Sequence, residues 1–353
     1  MLKIRIITIH DIPNFGSVFQ GYALCRYLIS QGYTDTEIID YSPKYYNKNN
    51  IRSLIGKLLN YKAYKSRAKK FRCFIEKYLP LTKKHFTKIS QLERFDFSAD
   101  VYIAGGDQLW NVYHDSGRDD AYKLTWVKAG KKISYATSMG QTGFTQNELE
   151  QLAEKILDFS AISVREKSST QMLSKVGVRS VQCVDPVFLL DPSEYKKFIK
   201  PINQPRYLLV YLVTPSELLE SCISYLSKKH GLKVILCSGF SKKCTCDQFL
   251  KDLGPDEILS YIYHADIVLS SSFHATAFSL IFKKQFFAIL PDEHTNERIV
   301  DLLRMVEMPN RIIMDEVGPG NILRMFDISS LDNYCKLIEF SKKYLKGNLN
   351  VDA

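Results

Sequence analysis

Short apolar runs of strand length alternate with helical patterns almost from one end of this chain to the other, and that alternation is its strongest fold constraint. Strand patterns cover residues 2–9, 36–41, 100–104, 132–136, 161–164 and 181–184, then 207–213, 234–237, 266–269 and 285–290. Helical patterns or polar turns separate them, which points to an α/β architecture with parallel sheets. Between the two groups, Pro192, Pro201 and Pro205 fall close together and mark a linker. At 353 residues the chain exceeds what one core usually supports, so two domains are expected. The boundaries read as an N-terminal domain over 1–195, a second domain over 196–325 and a bracing C-terminal helix over 326–353.

The N-terminal domain is interrupted by a basic helical insertion over about residues 50–95. Between Lys57 and Lys88 the cations Lys62, Lys65, Arg67, Lys69, Lys70, Arg72, Lys77, Lys83 and Lys84 are interleaved with Tyr61, Tyr64, Phe71, Phe74 and Tyr78. The pattern reads as a helical hairpin with its aromatic face packed and its cations solvated, a surface suited to peripheral contact with an anionic membrane. No recognised nucleic-acid module accompanies the charge, so nucleic acid is not an expected partner. Hydrophobic residues make up 45% and charged residues 24%, and no apolar stretch is long enough to span a bilayer. The N-terminus reads as a first strand rather than a secretory signal, and eight scattered cysteines fit reduced thiols, so the expected location is cytoplasmic. Cys244-Thr245-Cys246 lacks a second ligand pair at metal spacing and reads as a surface loop, and no metal site is expected.

The stretch Ser270-Ser271-Ser272-Phe273-His274 joins an apolar strand to an apolar helix. A turn of that kind lies at the carboxyl edge of a parallel sheet, where free N–H groups and the helix dipole favour an anion. His274 is the candidate acid or base there, because imidazole moves protons near neutral pH, with helix-capping serines and a merely packed histidine as the equally ordinary alternative. Arg165 stands where a strand gives way to a helix and could hold a carboxylate or phosphate, although an ion pair with a neighbouring acid is equally ordinary. Asn296 and Arg298 open a further helix as a second anion clamp, with capping by the asparagine as the plainer alternative. After strand 100–104, Gly105 and Gly106 could let the backbone approach a ligand, with Asp107 and Asn111 offering acceptors to sugar hydroxyls and Trp110 a flat apolar face. A plain tight turn explains the same residues. After strand 2–9, Ser17 is placed to cap a helix. No G-x-G-x-x-G run follows that strand, which argues against a dinucleotide-binding dehydrogenase.

Six of these pieces occur in order over nearly the whole chain: Asn14-Phe15-Gly16-Ser17 with Gln20, residues 105–111, residues 134–140, Ser163-Val164-Arg165-Glu166, Asp185-Pro186 and Ser271-Ser272-Phe273-His274. Together they resemble the polysaccharide pyruvyl transferase family. The resemblance implies two Rossmann-like domains facing one another across a cleft, as in GT-B enzymes. It also implies transfer of a pyruvyl group from phosphoenolpyruvate to a sugar of a surface polysaccharide or its lipid-linked precursor, as a cyclic ketal, with no cofactor or metal. Carried onto this chain, His274 becomes the proton carrier, and Arg165, Ser271, Ser272, Asn296 and Arg298 hold the donor. Asn14, Gly16, Ser17, Gly105, Gly106, Asp107, Trp110 and Asn111 face the glycan acceptor. Members often carry an arginine where this chain has Ser272, so Arg298, Lys283 or Lys284 has to supply the missing charge. A nucleotide-sugar glycosyltransferase and a non-catalytic glycan-assembly protein of the same fold are the competing readings.

Overall fold

A computed structural model describes residues 1–47, 59–237, 239, 242–290, 297–314 and 332–349. Its chain divides into two compact units, one made of 1–48, 75–190 and 334–353, the other of 49–74 and 191–333. In chain order the main elements are β1 (Lys3–Ile7), α1 (Phe15–Ser30), β2 (Asp35–Ile38), α2 (Tyr61–Tyr78), β3 (Val101–Gly105), β4 (Lys131–Tyr135), α3 (Gln146–Lys155), β5 (Ser163–Val164), α4 (Lys167–Lys175) and β6 (Val181–Gln182). They continue with β7 (Tyr207–Tyr211), α5 (Glu217–His230), β8 (Lys233–Cys237), β9 (Gln248–Leu250), α6 (Pro255–His264), β10 (Ile267–Ser270), α7 (Phe273–Ile281), β11 (Gln285–Ile289), α8 (Glu297–Met305), β12 (Ile312–Ile313) and α9 (Asp332–Leu349). Strands β9 and β12 are too short to show as apolar runs and were not expected from the sequence.

In the first unit the sheet order is β2-β1-β3-β4, with every pairing parallel. Parallel bridges from Ile133 to Ala161 and from Thr137 to Val164 carry the order on to the β5-β6 pair. The second unit has a six-stranded parallel sheet in the order β12-β11-β10-β7-β8-β9. Buried strands such as β3 and β7, shielded on both faces by crossover helices, explain the unbroken apolar runs in the sequence. In each unit the strand order reverses direction next to the first strand, between β1 and β3 and between β7 and β10. Open parallel sheets bind ligands outside the carboxyl ends of the strands at such a switch point.

Two local expectations need correcting. Helix α1 starts at Phe15, because the Asn14 side chain accepts from the Gly16 N–H at 3.0 Å, so Asn14 is the cap and Ser17 lies inside the first turn. The basic insertion is not a helical hairpin in its described part. After α2, Pro80 stops the helix, and residues 80–86 run extended beside residues 38–42, with Thr82 N–H donating to the Ile38 carbonyl at 2.9 Å and Phe86 N–H to that of Asp40 at 2.8 Å. Residues 48–58 of the insertion lie outside the described part.

Candidate functional site

The second unit gathers its candidate residues at the β7/β10 switch point. Ser270 and Tyr211 are register partners at the carboxyl ends of the two strands, and the Ser270 hydroxyl donates to the Tyr211 carbonyl at 2.6 Å. Ser271 bonds the carbonyl of Leu212, a residue held at φ +45° just past β7. Ser272 caps α7 by accepting from Ala275 N–H at 3.4 Å, and the Thr276 hydroxyl returns to its carbonyl at 3.1 Å. Ser271 and Ser272 are partly exposed at the amino end of α7, where the Ala275 and Thr276 N–H groups of the first turn are both bonded to Ser272. His274 follows in that same turn. It is 4% exposed, and its ring meets Phe273 edge to face at 5.2 Å. The Arg298 guanidinium also stands over the Phe273 ring, 6.0 Å from its centre. Arg298 is thus joined to the corner through an aromatic ring, while Asn296 lies outside the described residues.

The two lysines offered as alternative charges are at the wrong edge of this sheet. Lys283 and Lys284 leave the carboxyl end of α7 and lead into the first residue of β11, so they sit at the amino edge. Burial lowers the Lys284 ammonium, with Asp266, just before β10, acting in the opposite direction. A different cation occupies the carboxyl edge. Helix α2 is pinned to the loop leaving β9 by Ser66, whose hydroxyl donates to Asp252 at 2.8 Å, and to the first turn of α6 by Lys70, which pairs with Glu257 at 2.9 Å. Between these two residues, Arg67 comes within electrostatic reach of Tyr211 and Cys237, the last residues of β7 and β8. Burial raises both of those groups, and the Arg67 guanidinium opposes the rise. Sequence reasoning placed Arg67 within an undifferentiated basic run; its position three residues from Lys70 on one helix face was the signal available.

In the first unit, five of the six sequence motifs form one buried network at the β1/β3 switch point. Asp107, at φ +42° past the end of β3, accepts from the Ser17 hydroxyl in α1 and from Gln108 N–H at 2.8 Å. Gln20 binds the Thr8 hydroxyl at 2.7 Å and the Ile9 carbonyl at 3.2 Å, tying α1 to the end of β1. The glycines serve this packing rather than an open approach to a ligand. A Cβ on Gly105 would meet Leu24 at 2.5 Å, and one on Gly106, which also has φ +68°, would meet Gln20 at 1.6 Å and Pro186 at 3.3 Å. Asn14, Gly16, Ser17, Gly105, Gly106 and Asp107 are brought together as expected, but by close helix–turn contact.

Three further expectations change. Trp110 is fully buried in the first-unit core, edge-on to Phe159 at 5.9 Å, with its indole N–H donating to the Tyr122 carbonyl at 3.2 Å. Its flat face belongs to the core and is not presented to a sugar. Asn111 is 2% exposed and spends its amide on Gln108 at 2.6 Å and on Tyr113 N–H at 3.1 Å. Arg165, expected as a donor clamp, is 4% exposed and paired with Asp185 and Glu166. Burial works against its charge, but Asp185, Glu166 and Asp107 outweigh burial and hold its pKa above the ordinary value. Glu166 in turn accepts from Ser138, from Ser169 at 2.9 Å and from Met139 N–H at 3.3 Å, and Asp185 caps Val187 N–H at 3.0 Å. The ion-pair alternative for Arg165 is the one realised.

Sequence reasoning missed a polar cluster on the same edge. His10, 1% exposed, bonds Asp40 at 3.2 Å, and His85 meets the other carboxylate oxygen at 3.0 Å. Asp119 accepts from the Tyr41 and Tyr45 hydroxyls at 2.6 and 2.8 Å. His10 and Asp40 each lie two or three residues past a strand end, the one signal that could have drawn attention to them.

Two Rossmann-like units with these topologies define a GT-B-like fold, and solved structures agree. The chain is similar to UDP-N-acetylglucosamine 2-epimerase from Rickettsia bellii, at TM-score 0.58 and 13% identity over 98% of this chain and 95% of that one. It is similar to a putative UDP-N-acetylglucosamine 2-epimerase from Listeria monocytogenes at TM-score 0.55 and 9% identity, over 99% and 92% of the two chains. The UDP-GlcNAc 2-epimerase of Methanocaldococcus jannaschii gives TM-score 0.54 and 13% identity, over 96% and 92%. No curated protein matches the sequence. The polysaccharide pyruvyl transferase model matches residues 14–293, and the chain belongs to that family.

Proposed function

We propose that this protein transfers the pyruvyl group of phosphoenolpyruvate to two hydroxyls of one sugar in a surface polysaccharide or its lipid-linked precursor, as a cyclic ketal. The observation that carries the reading is the Ser270–His274 corner at the β7/β10 switch point, within a chain whose family membership covers residues 14–293. Phosphoenolpyruvate brings a phosphate and a carboxylate on a small frame. In this reading the positive end of the α7 dipole, the Ser272 hydroxyl, Arg298 and Arg67 receive those anions, while the Ser271 hydroxyl is held by the Leu212 carbonyl. The partly exposed serine turn is the landing place, with His274 the next residue but one along the chain. Acceptor recognition falls to the carboxyl edge of the first unit, around Asn14, Ser17 and Asp107. Arg165 acts there as a positioning residue, keeping Glu166 and Asp185 in place. No cofactor takes part.

His274 gives a proton to the methylene carbon of the donor, and as a sugar hydroxyl adds to the adjacent carbon its proton returns to the imidazole. Phosphate leaves with the electron pair of its C–O bond and takes the proton of the second hydroxyl, whose oxygen closes the ring. General acid help of this kind is worth about 10²–10⁴ in rate. The test is incubation with phosphoenolpyruvate and a panel of lipid-linked or aryl glycosides, reading phosphate release and the mass of the ketal. His274→Ala is expected to keep donor binding and lose turnover by about 10²–10⁴-fold. Full turnover by that variant overturns its role. Release of a nucleoside diphosphate from a nucleotide sugar makes the protein a glycosyltransferase instead, and absence of donor binding makes it a non-catalytic assembly protein.

A further inference from the structure

Helix α2 is sharply two-faced. At 3.6 residues per turn, Ser66, Lys70, Phe71 and Phe74 lie on one side, and that side is committed to the second unit. Phe71 and Phe74 are buried, Phe74 packs on Phe198 with ring centres 5.2 Å apart, and Lys70 and Ser66 hold the acids Glu257 and Asp252. A Cβ on Gly254 would stand 2.9 Å from the Lys70 Cβ, so this contact is tight. On the opposite side Lys62, Lys65, Lys69 and Arg72 recur at spacings of three and four residues and are all exposed. Among the described residues none of these four pairs with a carboxylate. The acid Glu76 ends the stripe one turn further on. At the amino end of the stripe, two large apolar side chains stand out of the surface, Leu59 at 80% exposure and Tyr61 at 52%. The ammonium of Lys65 lies 4.8 Å from the centre of the Tyr61 ring.

The structure therefore assigns this face of α2, and not the whole basic run, as a docking surface for an anionic lipid bilayer. Four unpaired cations supply complementarity to acidic headgroups, and each is worth about fivefold in partitioning near such a surface. Leu59 and Tyr61 supply the apolar and aromatic anchor that settles at the boundary between headgroups and acyl chains. A polyanion without an apolar phase, such as nucleic acid, has no use for an exposed leucine. Among the described residues no helix is long and apolar enough to cross a membrane, so attachment through α2 is of the peripheral kind. The inference is independent of pyruvyl transfer, because it rests on the helix alone.

The test is co-sedimentation of the full chain with vesicles of phosphatidylcholine alone or mixed with phosphatidylglycerol, at low and high salt. Binding is expected only to the mixed vesicles and is expected to weaken with salt. Combined reversal of Lys62, Lys65, Lys69 and Arg72 to Glu should lower the partition coefficient at least about a hundredfold. Reversal of Lys196, Lys228, Lys229 and Lys233, exposed on other elements of the same unit, should leave it within about twofold. Leu59→Ser with Tyr61→Ser should remove the binding that survives high salt. Equal losses in the two reversal sets, equal binding to neutral vesicles, or displacement from mixed vesicles by single-stranded nucleic acid overturns the proposal.

Discussion

Arg165 shows how one residue can carry the right chemistry and be committed elsewhere. Its fork is engaged by Asp185 and Glu166, and both carboxylates are 1% exposed, so removing the cation strands two buried charges. Arg165→Ala is expected to destabilise the first unit by about 3–5 kcal/mol in urea unfolding. A residue that only held a substrate would leave the unfolding midpoint unchanged. Asp40 gives a pH-dependent prediction. Burial would raise its carboxyl pKa, but hydrogen bonds from His10 and His85 prevail and hold it below the ordinary carboxylate value. Its contribution is complete above the unfolded value of about 3.9 and is lost as pH falls through the lower folded value. Asp40→Asn should therefore be less stable than the parent at pH ~6, with the gap narrowing below pH ~4. A gap that stays constant down that range shows that the carboxylate charge contributes nothing.

At the scale of elements, the two switch points use the same device in different ways. Each places a turn from the end of a strand against the first turn of a helix. At β10–α7 the turn is serine-rich: the Ser270 and Ser271 hydroxyls donate to the carbonyls of Tyr211 and Leu212 at the end of β7, and Ser272 caps the helix. At β3 the turn is filled by α1 itself, and Gly106 is the point of closest approach. Gly106→Ala has to push aside the Gln20 amide and adopt a positive φ, at a cost of about 1–3 kcal/mol readable as a lowered urea midpoint. If the glycine served only ligand approach, stability would be unaffected. Both corners were legible in the sequence, because a polar turn between an apolar strand and an apolar helix is a local pattern. What the turn packs against is not local, and for that reason the reading of Gly105, Gly106 and Trp110 as ligand-facing did not hold.

At the scale of the whole molecule, each unit is assembled from segments far apart in the chain. Helix α9 belongs to the first unit, where the Ser341 hydroxyl accepts from Val184 N–H and the Tyr344 hydroxyl donates to the Ser134 carbonyl, both at 3.0 Å. Ser341→Ala leaves a buried N–H unsatisfied, so a loss of about 1–3 kcal/mol is expected, seen as a lower melting temperature of the full chain. No change in melting temperature would mean that α9 is held by its apolar face alone. The sequence by itself determined the α/β class, the main strands, the strand–turn–helix corner at Ser270–His274 and the basic, aromatic character of α2. Each of these follows from composition and periodicity within a window of some ten residues. Only the tertiary structure decided that Arg165 faces Asp185, that Lys283 and Lys284 stand at the amino edge while Arg67 stands at the carboxyl edge, and which four cations of α2 remain unpaired. Those outcomes depend on sheet order and register, which join residues tens to hundreds of positions apart, and no local pattern encodes which distant partner the hydrophobic core will bring alongside.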